Sequence, residues 1–142
     1  MTRDVAVVGV GYSDPDSFTH HLDATKSKDE QAYAAIDTAL DHANVEPDEV
    51  DATMFTTVDG FEGTYRVERT LDVLGMGDDI PVFSINTGGT AGGSGVKAAY
   101  EYIASGTYDV AVVYGSPTFD SVLEEVWEDN LREISERLFE DQ

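Results

Sequence analysis

One glycine-rich stretch constrains the fold more than any other part of this chain. It covers residues 84–95, with the sequence SINTGGTAGGSG, and its start overlaps a short apolar run from Pro81 to Ile85. A helical pattern from Val96 to Ser105 comes directly after it. A strand that ends in a turn and opens a helix directs backbone N–H groups and the positive end of the helix dipole at one spot. The stretch is therefore either a binding or catalytic elbow or a place where two backbones pack closely.

Short apolar runs alternate with helical patterns along most of the chain. The runs predict strands at residues 5–10, 51–58, 81–86 and 109–115. The patterns predict helices at residues 27–43, at 64–74, and from the glycine turn to Ser105. The order β-α-β-α-β-α-β favours a three-layer α/β domain with a mostly parallel sheet. Residues 5–10, VAVVGV, are apolar throughout, so we expect a buried strand near the centre of that sheet.

The spacing of apolar and small residues predicts how two of these helices pack. On the first helix the predicted core face consists of Tyr33, Ile36, Ala39, Leu40 and Ala43. The third helix is rich in glycine, and a glycine inside a helix costs about 1 kcal/mol relative to alanine. We therefore expect the third helix to lie buried between layers, with close neighbours on several sides.

The last part of the chain predicts one more helix, at residues 120–139. Its apolar residues recur at helical spacing and its other face is acidic; the apolar residues are Leu123, Val126, Trp127, Leu131, Ile134 and Leu138. We therefore divide the chain into a domain at 1–118 and an acidic amphipathic helix at 119–142. That helix is expected to pack on the domain or on a partner.

The charge balance is strongly acidic, with 29 Asp and Glu residues against 8 Lys and Arg residues and a formal net charge of −21. Because 41% of the residues are hydrophobic, the composition is globular rather than that of a disordered acidic chain. This combination predicts adaptation to high salt, where screening shortens the reach of self-repulsion; the alternative is an acidic protein with a basic partner. Nucleic acid is excluded as a partner because no basic patch could release its counterions.

Several kinds of site and location are excluded by what the sequence lacks. The 142 residues contain no cysteine, so there is no disulfide, thiolate metal site or cysteine nucleophile. No apolar run approaches the length of a membrane span, and the N-terminus lacks the apolar core of a signal peptide. We expect a cytoplasmic protein, in a high-salt cytosol, with no membrane contact.

Two glycine motifs resemble nucleotide-binding fingerprints, and both fail. Gly9-Val10-Gly11 begins like a dinucleotide fingerprint, but Asp14 stands where its third glycine should be. The spacing from Gly88 to Gly93 fits a P-loop, but Ser94-Gly95 follows instead of a lysine and a hydroxyl. A nucleotide-binding module remains only a remote alternative.

Few side chains are candidates for metal or anion binding. The adjacent His20 and His21 fall in a polar stretch, where a solvated loop is favoured over a metal site, and we assign no metal ligands. Arg66 and Arg69 lie in the second predicted helix among acidic residues. Surface ion pairs are the favoured interpretation of these arginines, and a weak grip on an anionic cofactor is the alternative.

The chain resembles the thiolase superfamily over about residues 3–116. The features that carry the resemblance are the order of elements, the VAVVGV start, the turn from Asn86 to Gly95, and the segment from Lys97 to Gly115 that contains ASGTYDVAVVYG. The likeness is strongest to sterol-carrier or lipid-transfer-type thiolases and to thiolase-like aldolases that act on CoA thioesters. It corresponds to the N-terminal half of the family's duplicated fold.

This resemblance implies a site at the glycine turn. In thiolases a cysteine at the start of the third helix attacks an acyl thioester, and here that position falls at or near Gly89, which has no nucleophile. The resemblance implies a coenzyme A thioester as ligand, no bound cofactor, and a turn whose N–H groups hold a thioester oxygen. The implied substrate-binding residues are Asn86, Thr87, Gly88, Gly89, Thr90 and Ser94.

Two functional hypotheses follow from the resemblance. In the first, the chain is a subunit or divergent half of an assembly for acyl-CoA carbon–carbon bond chemistry, either acyl transfer of the acetyl-CoA acetyltransferase type or retro-aldol cleavage. It would not be catalytic alone, because it lacks a cysteine and a placed histidine. In the second, it is a non-catalytic dimeric lipid- or acyl-CoA-binding or structural protein. The family implies a homodimer through the strand from Pro81 to Asn86, and allows association with another thiolase-like or an OB-fold, acyl-CoA-binding subunit.

Overall fold

A computed structural model describes residues 3–13, 28–57, 68–76 and 79–115 of the chain. Three helices and three strands alternate within these residues, with one short 3-10 helix before the first strand. In chain order they are α1 (Lys28–Ala43), the 3-10 helix (Pro47–Glu49), β1 (Ala52–Thr56), α2 (Glu68–Val73), β2 (Val82–Ile85), α3 (Ala91–Ser105) and β3 (Ala111–Gly115). The predicted alternation of strands and helices is confirmed from α1 to β3.

The three strands form one parallel sheet in the order β2-β1-β3. Thr53 of β1 is in register with Val82 on one side and with Val112 on the other. All five residues of β1 are buried, as expected for the central strand of a parallel sheet that is covered on both faces.

Helices cover both faces of the sheet, which gives the three layers that the sequence predicts. On one face, Phe55 packs in a core with Ile36 of α1 and Leu71 of α2. On the other face, Met54 packs in a second core with Ala99 of α3. Neighbouring residues of β1 thus point to opposite layers, as the side-chain period of a strand requires.

The prediction of a central strand at residues 5–10 is wrong. This segment forms no strand, and Val7, Val8 and Val10 are 81%, 61% and 60% exposed. The central position belongs to β1, whose two edges are already paired with β2 and β3. The segment instead crosses α1, where Gly9 lies so close that a Cβ would come within 2.2 Å of the Ala39 carbonyl oxygen.

The helix ends follow local signals, whereas the buried face of α1 differs from the prediction. Asn44, directly after α1, has φ 52°, and Gly106, directly after α3, has φ 79°. Both are left-handed conformations that stop a helix. Ile36 and Leu40 are buried as predicted, whereas Tyr33 is 40% exposed and Ala32, one turn before Ile36, is buried in its place.

Arg3, the first described residue, binds to the end of α3 and to the segment before β3. The Arg3 N–H donates a hydrogen bond of 3.0 Å to the Ala104 carbonyl, and the Arg3 guanidinium forms an ion pair with Asp109. Asp51, just before β1, accepts hydrogen bonds at its Oδ2 from the N–H groups of Asp109 (2.8 Å) and Val110 (2.9 Å). These contacts hold the residues that precede β3 beside the residue that precedes β1.

Some predictions lie outside the described residues. They concern the C-terminal helix at 120–139, the division of the chain after residue 118, the histidines His20 and His21, and Arg66. Of α1, α2 and α3, none is long and apolar enough to cross a membrane.

Candidate functional site

The glycine turn joins β2 to α3 on the surface of the domain. β2 ends at Ile85 and α3 begins at Ala91, and every residue from Asn86 to Thr90 is exposed. Gly88 has φ 62°, a left-handed conformation that residues with a side chain rarely adopt. The chain therefore reverses at Gly88 and enters the helix with the turn open to solvent.

A small network of hydroxyl groups fixes the shape of this turn. Thr87 Oγ1 and Ser94 Oγ lie 2.8 Å apart, and Thr90 Oγ1 donates to the Thr87 carbonyl at 2.9 Å. The Gly88 N–H reaches Asn86 Oδ1 at 3.3 Å. The structure thus brings together five of the six residues proposed for substrate binding, and the sixth, Gly89, lies between them.

Two backbone N–H groups at the start of α3 have no acceptor within the described ranges of the chain. The Ala91 N–H donates to the Gly88 carbonyl at 2.9 Å, and the Ser94 N–H donates to the Thr90 carbonyl at 3.0 Å. Gly92 and Gly93 lie between them, where the donors of a helix's first turn lack intrahelical partners. Sequence reasoning placed the helix dipole at this point but did not name Gly92 and Gly93. Reading Thr90 as the residue before the helix would have identified them, because threonine is a preferred N-cap residue.

The glycines around the turn have different roles. A Cβ on Gly89, Gly92 or Gly93 would meet nothing within 4 Å, whereas a Cβ on Gly95 would lie 2.3 Å from Thr56 Cγ2. Close packing therefore explains Gly95 alone, and the glycines nearer the turn surround open space. Among the described residues, α3 is approached closely only on the side of the sheet, against the expectation of close neighbours on several sides, and Val96 and Tyr100 are 55% and 54% exposed.

The cationic candidates are separated from the turn or already paired. Arg69 belongs to α2, which packs with α1 on the opposite face of the sheet from α3. Lys97, on α3, is paired with Glu101, whose hydrogen bond and negative charge raise the pKa of the Lys97 ammonium. His42 Nδ1 lies 3.3 Å from both the N and the O atom of Val10, so this histidine holds the N-terminal segment on α1.

An apolar cleft of about 490 Å³ opens beside α3. The N-terminal segment, α1, α3 and β3 bound it, and its lining includes Val7, Val10, Val96, Val113 and Gly115. Gly92 also lines the cleft, so the start of α3 and the cleft adjoin each other. The sequence contained no signal for this cleft, because it exists only where residues 5–10 stay out of the sheet.

The family described as "Thiolase, N-terminal domain" matches residues 5–126 of the chain. This chain belongs to the thiolase N-terminal domain family. The glycine turn thus stands at the start of the third helix of a thiolase-type domain, and the resemblance drawn from the sequence is confirmed.

Solved structures show the same fold at low identity. Acetyl-CoA acetyltransferase from Syntrophomonas wolfei is 18% identical, with a TM-score of 0.68 over 80% of this chain and 28% of its own. OleA from Xanthomonas campestris with bound lauric acid and lauroyl-CoA is 17% identical, with a TM-score of 0.70 over 90% of this chain and 48% of its own. 3-Oxoacyl-(acyl carrier protein) synthase III from Xanthomonas oryzae is 17% identical, with a TM-score of 0.68 over 94% of this chain and 48% of its own. The thiolase-type chain described here spans about half or less of their length.

Short stretches match a different protein, a component of the A-type ATP synthase. The protein from Haloarcula marismortui is 80% identical over 25 residues, which are 18% of this chain and 13% of that protein. Its counterpart from Natronomonas pharaonis is 64% identical over 33 residues, which are 23% of this chain and 17% of that protein. These matches are too short to change the family assignment.

Proposed function

We propose that this chain binds acyl-CoA thioesters at the turn before α3 and serves as one part of an assembly for carbon–carbon bond chemistry on them. The observation that carries the proposal is the pair of N–H groups of Gly92 and Gly93, directed from the open start of α3 with no acceptor among the described residues. Donors fixed in this way stabilise negative charge on a thioester oxygen without having to reorganise. The thiolase membership and the exposed glycines around this point support the assignment.

The chain supplies a binding surface in this proposal, and other groups supply the chemistry. It contains no cysteine, and Gly89 occupies the position at or near which the family's nucleophile is expected. His42 is engaged with Val10, and no cluster of three or more possible metal ligands occurs in the described ranges. In this proposal the nucleophile, or the acid and base, come from another thiolase-like chain or an OB-fold subunit.

Calorimetry with acetyl-CoA in molar KCl tests the binding proposal. We expect heat that saturates below millimolar ligand, and about tenfold weaker binding, equal to about 1.4 kcal/mol, for a Gly92→Asp variant, because its carboxylate repels the ligand from the N–H pair. Val73→Asp is the matched control, since Val73 is 73% exposed and lies on α2, on the other face of the sheet. Absence of heat up to millimolar acetyl-CoA, or equal weakening by both variants, would contradict the proposal.

Turnover assays distinguish the subunit from the non-catalytic alternative. For an assembly subunit, the purified chain alone leaves acyl-CoA and β-hydroxyacyl-CoA unchanged, and turnover starts when the thiolase-like or OB-fold partner is added. For a lipid-binding or structural protein, binding occurs but no added partner produces turnover. Turnover by the chain alone would contradict both hypotheses.

We also propose that the chain forms a homodimer through β2. β2 has β1 as its sole neighbour in the described part of the sheet, so its outer edge is open to a second copy. Ser84→Pro removes a backbone N–H group that could pair with another strand. We expect this variant to be monomeric in analytical ultracentrifugation and Ser84→Ala to stay dimeric. A wild-type monomer, or a dimer that withstands Ser84→Pro, would contradict this arrangement.

We also propose a high-salt cytosol as the location of the protein. This proposal rests on the acidic composition and on the organisms, such as Haloarcula marismortui, whose A-type ATP synthase proteins give the short matches.

A further inference from the structure

The apolar cleft beside α3 meets the proposed ligand site at Gly92, but the proposed function makes no use of its valines. Val7 and Val10 from the N-terminal segment and Val96 from α3 line it, and they are 81%, 60% and 55% exposed. Tyr12, which also lines the cleft, is 67% exposed. Exposed apolar residues of this kind mark an interaction surface or a ligand-binding groove, or else a liability for aggregation.

The edge of the sheet at the cleft is also open. β3 pairs with β1 on one side, and no other strand pairs with it in the described part of the chain. An open edge next to exposed valines is a risk for aggregation unless something covers it. The cleft therefore needs an occupant that brings apolar side chains and keeps a solvated outer face.

We propose that residues 120–139 of the same chain form an amphipathic helix that covers this cleft. Their apolar residues, from Leu123 to Leu138, recur at three- and four-residue spacing, and the positions between them hold mostly acidic residues with two arginines. A helix of this length spans about 30 Å, enough to cross the cleft from β3 past α3. Its acidic face would remain in solvent, in keeping with the rest of the surface.

The connection to β3 favours this occupant over a second copy. Gly115 lines the cleft, and only residues 116–119 separate it from the start of the helical pattern. Four extended residues reach about 14 Å, so the helix begins next to the surface that it covers. A short tether of this kind gives an effective concentration in the millimolar range, which a second copy in dilute solution does not reach.

Trp127 makes the proposal testable, because it is the only tryptophan in a chain without cysteine. A bimane dye on a Val96→Cys variant loses emission when a tryptophan comes into near contact with it. We expect the emission to be low, independent of protein concentration, and restored by Trp127→Phe. The control is bimane on Val73→Cys, which lies on α2 outside the cleft and should be insensitive to Trp127→Phe.

Three outcomes would overturn the proposal. Bimane emission at position 96 that is the same with and without Trp127→Phe means that the helix lies elsewhere. Quenching that rises with protein concentration, or that appears when unlabelled chain is mixed with a labelled chain carrying Trp127→Phe, assigns the cleft to a second copy. If Trp127 does not quench the dye, and lauroyl-CoA changes the emission of the labelled chain carrying Trp127→Phe, the cleft binds an acyl chain instead. Circular dichroism of each variant verifies that the fold is retained.

Discussion

Gly95 of α3 lies directly against Thr56 of β1, so that a Cβ on the glycine would come within 2.3 Å of Thr56 Cγ2. This contact sets the distance between the helix and the sheet at the end of β1 that is close to the glycine turn. We expect Gly95→Ala to lower the free energy of unfolding by about 1–3 kcal/mol, because an added methyl group overpacks a filled space. Denaturant unfolding in molar KCl measures the change.

Gly93 provides the matched control for this prediction. It lies in the same helix with nothing within 4 Å of a Cβ, so Gly93→Ala should raise stability by roughly 0.5–1 kcal/mol through helix propensity alone. Thr56→Ser removes the nearest clashing atom and should recover part of the loss in the Gly95→Ala variant. Equal effects of the two alanine substitutions would show that Gly95 is not a packing residue.

Gly89→Cys tests whether this position corresponds to the family's nucleophile. No atom within 4 Å obstructs a side chain there, and the start of α3 should lower the pKa of the new thiol below its ordinary value of about 8.5. We expect faster alkylation at neutral pH than in a Ser105→Cys variant at the other end of α3, and mass spectrometry should detect acyl transfer from acetyl-CoA to Cys. An unshifted thiol pKa with no acyl adduct would show that the alignment at Gly89 is wrong.

The sequence was sufficient to predict features that depend on neighbouring residues. Asn44 and Gly106 signalled the ends of α1 and α3, and each adopts the left-handed conformation that ends a helix. Residues 5–10 show the limit, since an apolar β-branched run can equally be a strand or a segment packed on a helix. Its position depends on which strands pair with β1, and that pairing involves residues far apart in the chain.

The same limit applies to the glycine turn. Composition alone could not separate Gly95, which Thr56 requires, from Gly89, which faces open space. The distinction depends on how far α3 lies from β1, which is a tertiary property. The sequence could predict only that Thr87 and Ser94 belong to the same turn. Their hydroxyl groups lie 2.8 Å apart because the first turn of α3 brings Ser94 back towards Thr87.

Asp51 should contribute to stability through its two backbone partners. Asp51→Ala leaves the N–H groups of Asp109 and Val110 without their carboxylate acceptor, and we expect a loss of about 1 kcal/mol in the free energy of unfolding. Asp51→Asn keeps an acceptor oxygen and should lose less. Asp48→Ala removes the same charge from the exposed 3-10 helix, and a loss as large as that of Asp51→Ala would show that charge, not hydrogen bonding, is responsible.

Stability should rise steeply with salt because the net charge is −21. The Debye length shortens from about 10 Å at 0.1 M to about 3 Å at 1 M, which suppresses repulsion between surface carboxylates. A gain of a few kcal/mol corresponds to a rise of roughly 10 °C in melting temperature between dilute and molar KCl. Sucrose at matched osmolality is the control, and an equal rise in sucrose would rule out charge screening as the cause.

The ion pair between Lys97 and Glu101 should make a small contribution that depends on pH. The hydrogen bond and charge of Glu101 raise the pKa of Lys97 above its ordinary value of 10.5, so the contribution is complete below that pH and is lost as pH rises through the raised value. NMR titration of the Lys97 side chain should show the pKa falling in Glu101→Gln and unchanged in Asp48→Asn. A wild-type pKa at or below 10.5 would contradict the pairing.

The attachment of Arg3 to Ala104 and Asp109 has a consequence for how the chain folds on the ribosome. Arg3 and Asp109 are 106 residues apart, so Arg3 reaches its native partners only after residues 104–109 have been synthesised. At synthesis rates of about 5–20 residues per second, this interval is on the order of 5–20 seconds. Throughout that time the valines of residues 5–10 have no native contact with α3 or β3, and the nascent chain is most exposed to chaperones and to misassembly.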